Sequence, residues 1–140
     1  MQQLKDVMST DVKILNPETT IKDAASQMRD GDFGSMPIGE NDRLIGMLSD
    51  RDIVIRAVAQ GYDNATKVRD IMSETVVWAY ENDSVEQATA IMSRSQIRRL
   101  PIINQKKRLV GIVALGDLAV DTNDTTNVNQ ALKGISEPAH

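Results

Sequence analysis

Few side chains in this sequence can do covalent or acid–base chemistry, and their types narrow the field at once. There is no cysteine, which excludes thiol nucleophiles, disulfides, Cys-ligated zinc and iron–sulfur clusters. The single histidine is His140, the last residue, and a chain terminus is a poor place to hold a general base or a metal ligand. No pair of acidic residues has a catalytic context, and nothing singles out Lys13 or Asp52 for chemistry, so we expect no enzyme activity, no catalytic residue and no metal site. What stands out is Ser49-Asp50-Arg51-Asp52, directly after the apolar run Leu44 to Leu48. A strand ending at Leu48 and a helix starting at Asp50 would set the Ser49 hydroxyl and nearby backbone N–H groups at a positive helix end, where an anionic ligand is favoured. Asp52 shares that side of the first turn. The same Ser-x-x-Asp spacing is also a capping box that needs no ligand.

The elements that must position these residues occur twice. Residues 4 to 38 match residues 68 to 102 at a constant offset of 64. Leu4-Lys5-Asp6-Val7-Met8-Ser9 lies over Val68-Arg69-Asp70-Ile71-Met72-Ser73, and Met36-Pro37-Ile38 over Leu100-Pro101-Ile102. After one extra residue the offset is 65, and Arg43 to Leu48 falls over Arg108 to Val113, then Asp52 over Asp117. A one-residue change at Gly39-Glu40-Asn41-Asp42 is what a surface turn tolerates. Within the first copy, Val12 to Leu15 reads as a short strand and Asn16 to Thr19 as a turn. Thr20 then caps a helix with Ile21, Ala24, Ala25 and Met28 on its buried stripe. Its twin opens with a Ser84–Gln87 capping box and carries Val85, Ala88, Ile91 and Met92. Met36 to Ile38 and Arg43 to Leu48 read as two strands, and Asp50 to Gln60 as a second helix.

Each copy is therefore β-α-β-β-α, and the chain divides into a first copy at 4–60, a linker at 61–67, a second copy at 68–120 and a C-terminal region at 121–140 with a loop, a short helix and a tail. That last helix would present Val128, Ala131, Leu132 and Ile135. The fold class expected is α/β (α+β): two repeats packed with pseudo-two-fold symmetry, since one copy of about 50 residues buries too little surface to stand alone. At 140 residues with one Phe, two Tyr and one Trp, the core must be built from Ile, Val, Leu, Met and Ala. A formal charge of −4 offers no general attraction to nucleic acid or an anionic membrane. No apolar run nears the roughly 18 residues a membrane span needs, and the N-terminal residues do not read as a signal peptide, so a cytoplasmic protein is expected.

These two copies resemble the CBS domain, which occurs as tandem pairs called Bateman modules. The motifs are Phe33-Gly34-Ser35-Met36-Pro37-Ile38 with Gly46-Met47-Leu48-Ser49-Asp50-Arg51-Asp52, and Ile97-Arg98-Arg99-Leu100-Pro101-Ile102 with Gly111-Ile112-Val113-Ala114-Leu115-Gly116-Asp117. The resemblance spans roughly residues 4 to 120, as for a stand-alone Bateman protein without an attached enzyme or channel. It implies clefts that hold adenosyl compounds: AMP, ADP or ATP foremost, with S-adenosylmethionine or NAD as further candidates. No other cofactor is required, although Mg could accompany ATP.

On that resemblance, the Asp52 carboxylate would accept the ribose hydroxyl protons, beside the Ser49 hydroxyl. The second copy has Ala114 where Ser49 stands yet keeps Asp117, which fits a ribose contact better than a cap. The family pattern assigns phosphate contacts in the Ser49 and Asp52 cleft to Arg98 and Arg99, whose guanidinium forks match phosphate oxygens. The corresponding positions for Asp117 are Gly34 and Ser35, so that second cleft is expected to be weaker. Met47, Ile14, Pro37 and Ile38 would line the adenine pocket, and Arg51 could reach a phosphate or a neighbouring chain. Ordinary core packing is the alternative for the apolar four, and a solvated basic turn or an ion pair with surface acids for the two arginines.

The expected function is a regulatory adenosine-nucleotide sensor acting on an effector protein that the sequence does not name. The alternative is a structural interaction module with vestigial clefts. A homodimer is expected, paired through Ile53, Ile55, Val58 and Ala59 together with the helix Leu115 to Val120.

Overall fold

A computed structural model describes residues 2–74 and 76–121; the expected helix at Val128 to Ile135 and the tail lie outside the described residues. The chain forms two compact units, one continuous over Lys13–Val76 and one joining Met1–Val12 to Val77–His140. We call them the first-copy and second-copy units. Their bounds differ from those of the sequence repeats, because the leading segment of each repeat packs in the unit of the other. Leu4 sits in one core with Ala79, Val85, Ala88, Met92 and Leu118. Val68 and Ile71 sit in the other with Leu15, Ile21, Met28, Met36, Ile38 and Leu48.

The first-copy unit holds α1 (Ile21–Gly31), the strands β1 (Ser35–Glu40) and β2 (Arg43–Ser49), and a helical run opening with α2 (Asp50–Asp52). Thr20 caps α1 by accepting the Asp23 N–H at 3.2 Å, and Ile21, Ala24 and Met28 are buried. Ala25, expected on that stripe, is exposed at the edge of the apolar arc. β1 and β2 pair antiparallel with Ser35 opposite Ser49 and Pro37 opposite Met47. Their turn uses Asn41 and Asp42 at φ 55° and 64°, a left-handed conformation that Asn and Asp tolerate. The expected strand Val12 to Leu15 shrinks to one bridging residue: the Leu15 N–H donates to the Pro37 carbonyl at 2.9 Å and the Gly39 N–H to the Leu15 carbonyl at 3.0 Å. The second helix expected over Asp50 to Gln60 is α-helical only in α2 and continues as a π-helix over Ile53–Val58, where the Ala59 N–H reaches the Val54 carbonyl at 2.9 Å.

The second-copy unit repeats the plan with β3 (Ala79–Tyr80), α3 (Val85–Ser95), β4 (Arg99–Ile103), β5 (Leu109–Ala114) and α4 (Leu115–Asp121). Its sheet order is β3-β4-β5, the first pair parallel and the second antiparallel. The Ser84–Gln87 capping box is complete, with backbone bonds of 2.7 and 3.1 Å. Val85, Ala88, Thr89 and Met92 are buried on α3 while Ile91 is only partly so; the Thr89 hydroxyl donates to the Glu86 carbonyl at 2.9 Å, which satisfies its one buried polar group. Leu115 and Leu118, expected on an outer dimer face, belong to the core at 2% and 0% exposure.

The leading segments add an edge to each sheet. Ser73 exchanges backbone bonds with Met47, and Ser9 does so with Ile112. Two glycines permit that approach. A Cβ on Gly46 would lie 3.0 Å from the Ser73 carbonyl oxygen and 2.6 Å from the Met72 sulfur, and one on Gly111 3.0 Å from the Ser9 carbonyl oxygen.

Candidate functional site

Strand alternation decides which side chains can face a ligand. In β1 and β2, Met36, Ile38 and Leu48 turn into the core, leaving Ser35, Pro37, Met47 and Ser49 on the opposite sheet face. Ile14, next to core-facing Leu15, is 43% exposed. Ile38 is fully buried, so its expected place on an adenine pocket wall is replaced by a place in the core. Pro37 is itself buried, and Met47 is partly buried between Pro37 and Ser73.

At the end of β2 the chain turns into α2 with the Asp50 N–H donating to the Gly34 carbonyl at 2.9 Å. Ser49 and Asp52 then hold one another. The Ser49 N–H donates to Asp52 Oδ2 at 2.9 Å, and the Asp52 N–H donates to Ser49 Oγ at 3.1 Å. This reciprocal pair satisfies two backbone donors of the helix start and fixes the carboxylate. The other carboxylate oxygen, Oδ1, lies 3.7 Å from the Arg56 Nε, one helical turn on. Arg51 is exposed, with its backbone N–H donating to the Asp50 carboxylate at 2.8 Å.

Arg98, Arg99 and Asp117 belong to the second-copy unit. Arg98 is exposed, and its carbonyl accepts the Leu115 N–H at 2.8 Å, the counterpart of the Gly34–Asp50 bond. Arg99 stands opposite Ala114 across β4 and β5. Burial pushes its guanidinium below its ordinary value, and the nearby Asp117 carboxylate acts in the opposite direction. Asp117 thus has a cation within electrostatic reach in its own unit. Trp78, which offset 64 aligns with Ile14, is 36% exposed and packs edge to face with Tyr80 at 4.9 Å between ring centroids.

The sequence motifs give no part to Arg56 or Trp78. Trp78 was findable from the repeat alignment. Arg56 was not, since its backbone partners lie 15 and 16 residues away. Among the described residues no group of three or more His, Cys, Asp or Glu side chains could hold a metal, and no helix is long and apolar enough to cross a membrane.

Two repeats of this plan, each ending its hairpin on an acid in the first turn of the following helix, define a tandem module of mixed α and β structure. The chain belongs to the CBS domain family, whose model matches residues 4–58 and 68–120. It is 46% identical over 136 residues to the CBS domain-containing protein YhcV of Bacillus subtilis, covering 97% of this chain and 96% of that one. The crystal structure of Hypoxic Response Protein I, which holds two coordinated zinc ions, matches with a TM-score of 0.79 and 36% identity over 86% of this chain and 99% of that chain. The CBS domain pair of protein MJ0100, solved with 5'-methylthioadenosine and S-adenosyl-L-methionine, matches with a TM-score of 0.74 and 27% identity over 85% and 94%.

Proposed function

We propose that this protein is a regulatory module that binds an adenosine nucleotide and releases it unchanged. The observation that carries the reading is the reciprocal Ser49–Asp52 pair, which holds a carboxylate at the edge of the sheet face formed by Pro37 and Met47. A fixed carboxylate can accept two hydroxyl protons from a ribose, and apolar groups beside it suit a base. A relative of the same fold, the MJ0100 pair, carries two adenosyl compounds. AMP, ADP and ATP are the first candidates, with S-adenosylmethionine and NAD next. Ser49, Asp52, Met47, Ile14 and Pro37 are the residues we assign, with Arg51 near the phosphates. The phosphate role of Arg98 and Arg99 and the weaker cleft at Asp117 rest on the family pattern. A homodimer, a cytoplasmic setting and an effector protein complete the proposal.

The second reading is a structural interaction module. It is favoured by the exposure of Val54, Ile55 and Val58 at 56%, 47% and 65%, and by a capping box already complete without a ligand. A thermal-shift series with AMP, ADP, ATP, S-adenosylmethionine and NAD separates the two. A ligand at about 100 times its Kd stabilises by roughly 2.7 kcal/mol, a shift of several degrees. No shift with any of the five, and no small molecule copurifying by mass spectrometry, would favour the interaction module.

A further inference from the structure

We propose that Arg56 couples the Asp52 carboxylate to the crossing segment at residues 68–74, so that a ligand on Asp52 changes how firmly that segment is held. The inference rests on the adenosine-binding reading for its ligand, and on geometry alone for its coupling. Arg56 Nε faces Asp52 Oδ1 at 3.7 Å. From the same guanidinium, Nη1 donates to the Ile71 and Met72 carbonyls at 3.4 and 3.3 Å. One cation therefore spans the site carboxylate and two consecutive carbonyls of the segment. These bonds are at the long end of the range, so each is weak and the three acceptors share one charge. A second path reaches the same segment: the Met47 and Ser73 backbones exchange bonds of 3.0 and 2.9 Å, and Met47 lies two residues before Ser49. Arg56 also sits in the π-helix, whose wider turn is common near functional sites.

The segment matters because it opens the second repeat and leads from the first-copy unit into the second-copy unit. Ile71 and Val68 anchor it in the first-copy core, and beyond Val76 the chain enters the second-copy unit. In sequence the second copy lacks the cation. Offset 65 places Asp121 where Arg56 stands, an acid in place of the cation. A ribose hydroxyl that donates to Asp52 Oδ1 competes with Arg56 for that oxygen, and a guanidinium less held by the carboxylate is free to shift its bonds to Ile71 and Met72. Arg56 is thus a positioning residue.

The test is hydrogen exchange of residues 68–74 in the full chain, read by mass spectrometry for wild type, Asp52→Asn, Arg56→Gln and the double variant without ligand. Asp52→Asn is expected to change exchange in this segment by about two-fold, the scale of an exposed i, i+4 ion pair. In the Arg56→Gln background it should change nothing further. Additive effects of the two substitutions, or no effect of Asp52→Asn, would overturn the coupling. Arg56→Lys keeps the charge but loses the fork, and is expected to exchange as Arg56→Gln does; wild-type exchange in this variant counts against the proposal. With AMP as the probe, the segment should respond in wild type and not in Arg56→Gln, whereas an equal response in both refutes the role. If AMP fails to shift the melting of wild type, the nucleotide reading falls, and the ligand-free cycle still decides the coupling.

Discussion

Asp52→Asn separates the capping role of one carboxylate from the ribose-binding role proposed for it. As a cap, the carboxylate accepts the Ser49 N–H at 2.9 Å, and an amide oxygen in the same place can still do so. What the substitution removes is the negative charge in the first helical turn, worth about 0.3–1 kcal/mol, and the partly exposed Arg56 pair, worth about 0.3–0.5 kcal/mol. The stability loss should therefore be about 1 kcal/mol, or roughly 4 °C in Tm. As a ribose ligand, the group loses more, because an amide offers one acceptor and one donor where the carboxylate offered two acceptors. At least one charge-assisted hydrogen bond disappears, worth about 1.5–3 kcal/mol, so affinity should fall about 10- to 150-fold. Urea unfolding followed by Trp78, the sole tryptophan, gives the first number, and calorimetry with AMP gives the second. If stability falls as stated while affinity changes less than about three-fold, Asp52 is a cap and not a ligand. Asp117→Asn should leave the strong binding nearly unchanged, and equal weakening by both substitutions would show the cleft to be wrongly chosen.

Gly46→Ala should cost about 1–3 kcal/mol, because its Cβ would lie 3.0 Å from the Ser73 carbonyl and 2.6 Å from the Met72 sulfur; an unchanged urea midpoint would show that the crossing segment yields freely. Glu18 accepts from Lys67 and lies near Arg69, and these partners hold its carboxyl below the ordinary value of 4.5. The stability this lowering contributes is full above the ordinary value of 4.5 and is lost as pH falls from there through the lowered folded-state value, so the difference between wild type and Glu18→Gln should vanish on acidification and shrink in high salt. Val58→Asp, at a position 65% exposed on the π-helix, should convert a dimer to a monomer by light scattering at high micromolar concentration; wild type that is already monomeric there removes the dimer from the proposal.

What could be read in the sequence follows from where the determining contacts lie. α1 and α3 were legible because a cap and a buried stripe sit within a dozen residues of each other, and both caps form as spaced. The hairpins were legible through the one-residue length change at their turn. Ile38 was misplaced because the pattern Met36-Pro37-Ile38 is apolar at every position and does not say which parity faces the core; the structure gives that side to Met36 and Ile38. The π-helix was hidden because Ile53, Val54, Ile55 and Val58 fit an apolar helix of either winding. The crossing of the leading segments was hidden for a deeper reason. When two copies share one sequence pattern, Leu4 fits the core of its own copy as well as that of its twin, and no local preference distinguishes the two. Gly46 and Gly111 mark the crossing only once Ser73 and Ser9 are seen beside them.

The difference between the copies is sharper in structure than in sequence. By sequence, one acid had two arginines assigned to its cleft and the other had none. In the folded units each acid has its own cation, but the two cations answer to different parts of the chain. Asp117 is near Arg99, a residue of β4 paired opposite Ala114 in the sheet. Asp52 faces Arg56, on a π-helical turn and bonded to carbonyls of the segment that leads from one unit to the other. A ligand that neutralised or displaced the cation at Asp117 would work against a sheet, whereas one that did so at Asp52 would work against three long, partly exposed contacts. On the proposed reading, the same adenosyl group bound at either acid should therefore have unequal consequences, with Asp52 the position from which occupancy would change how the chain is held.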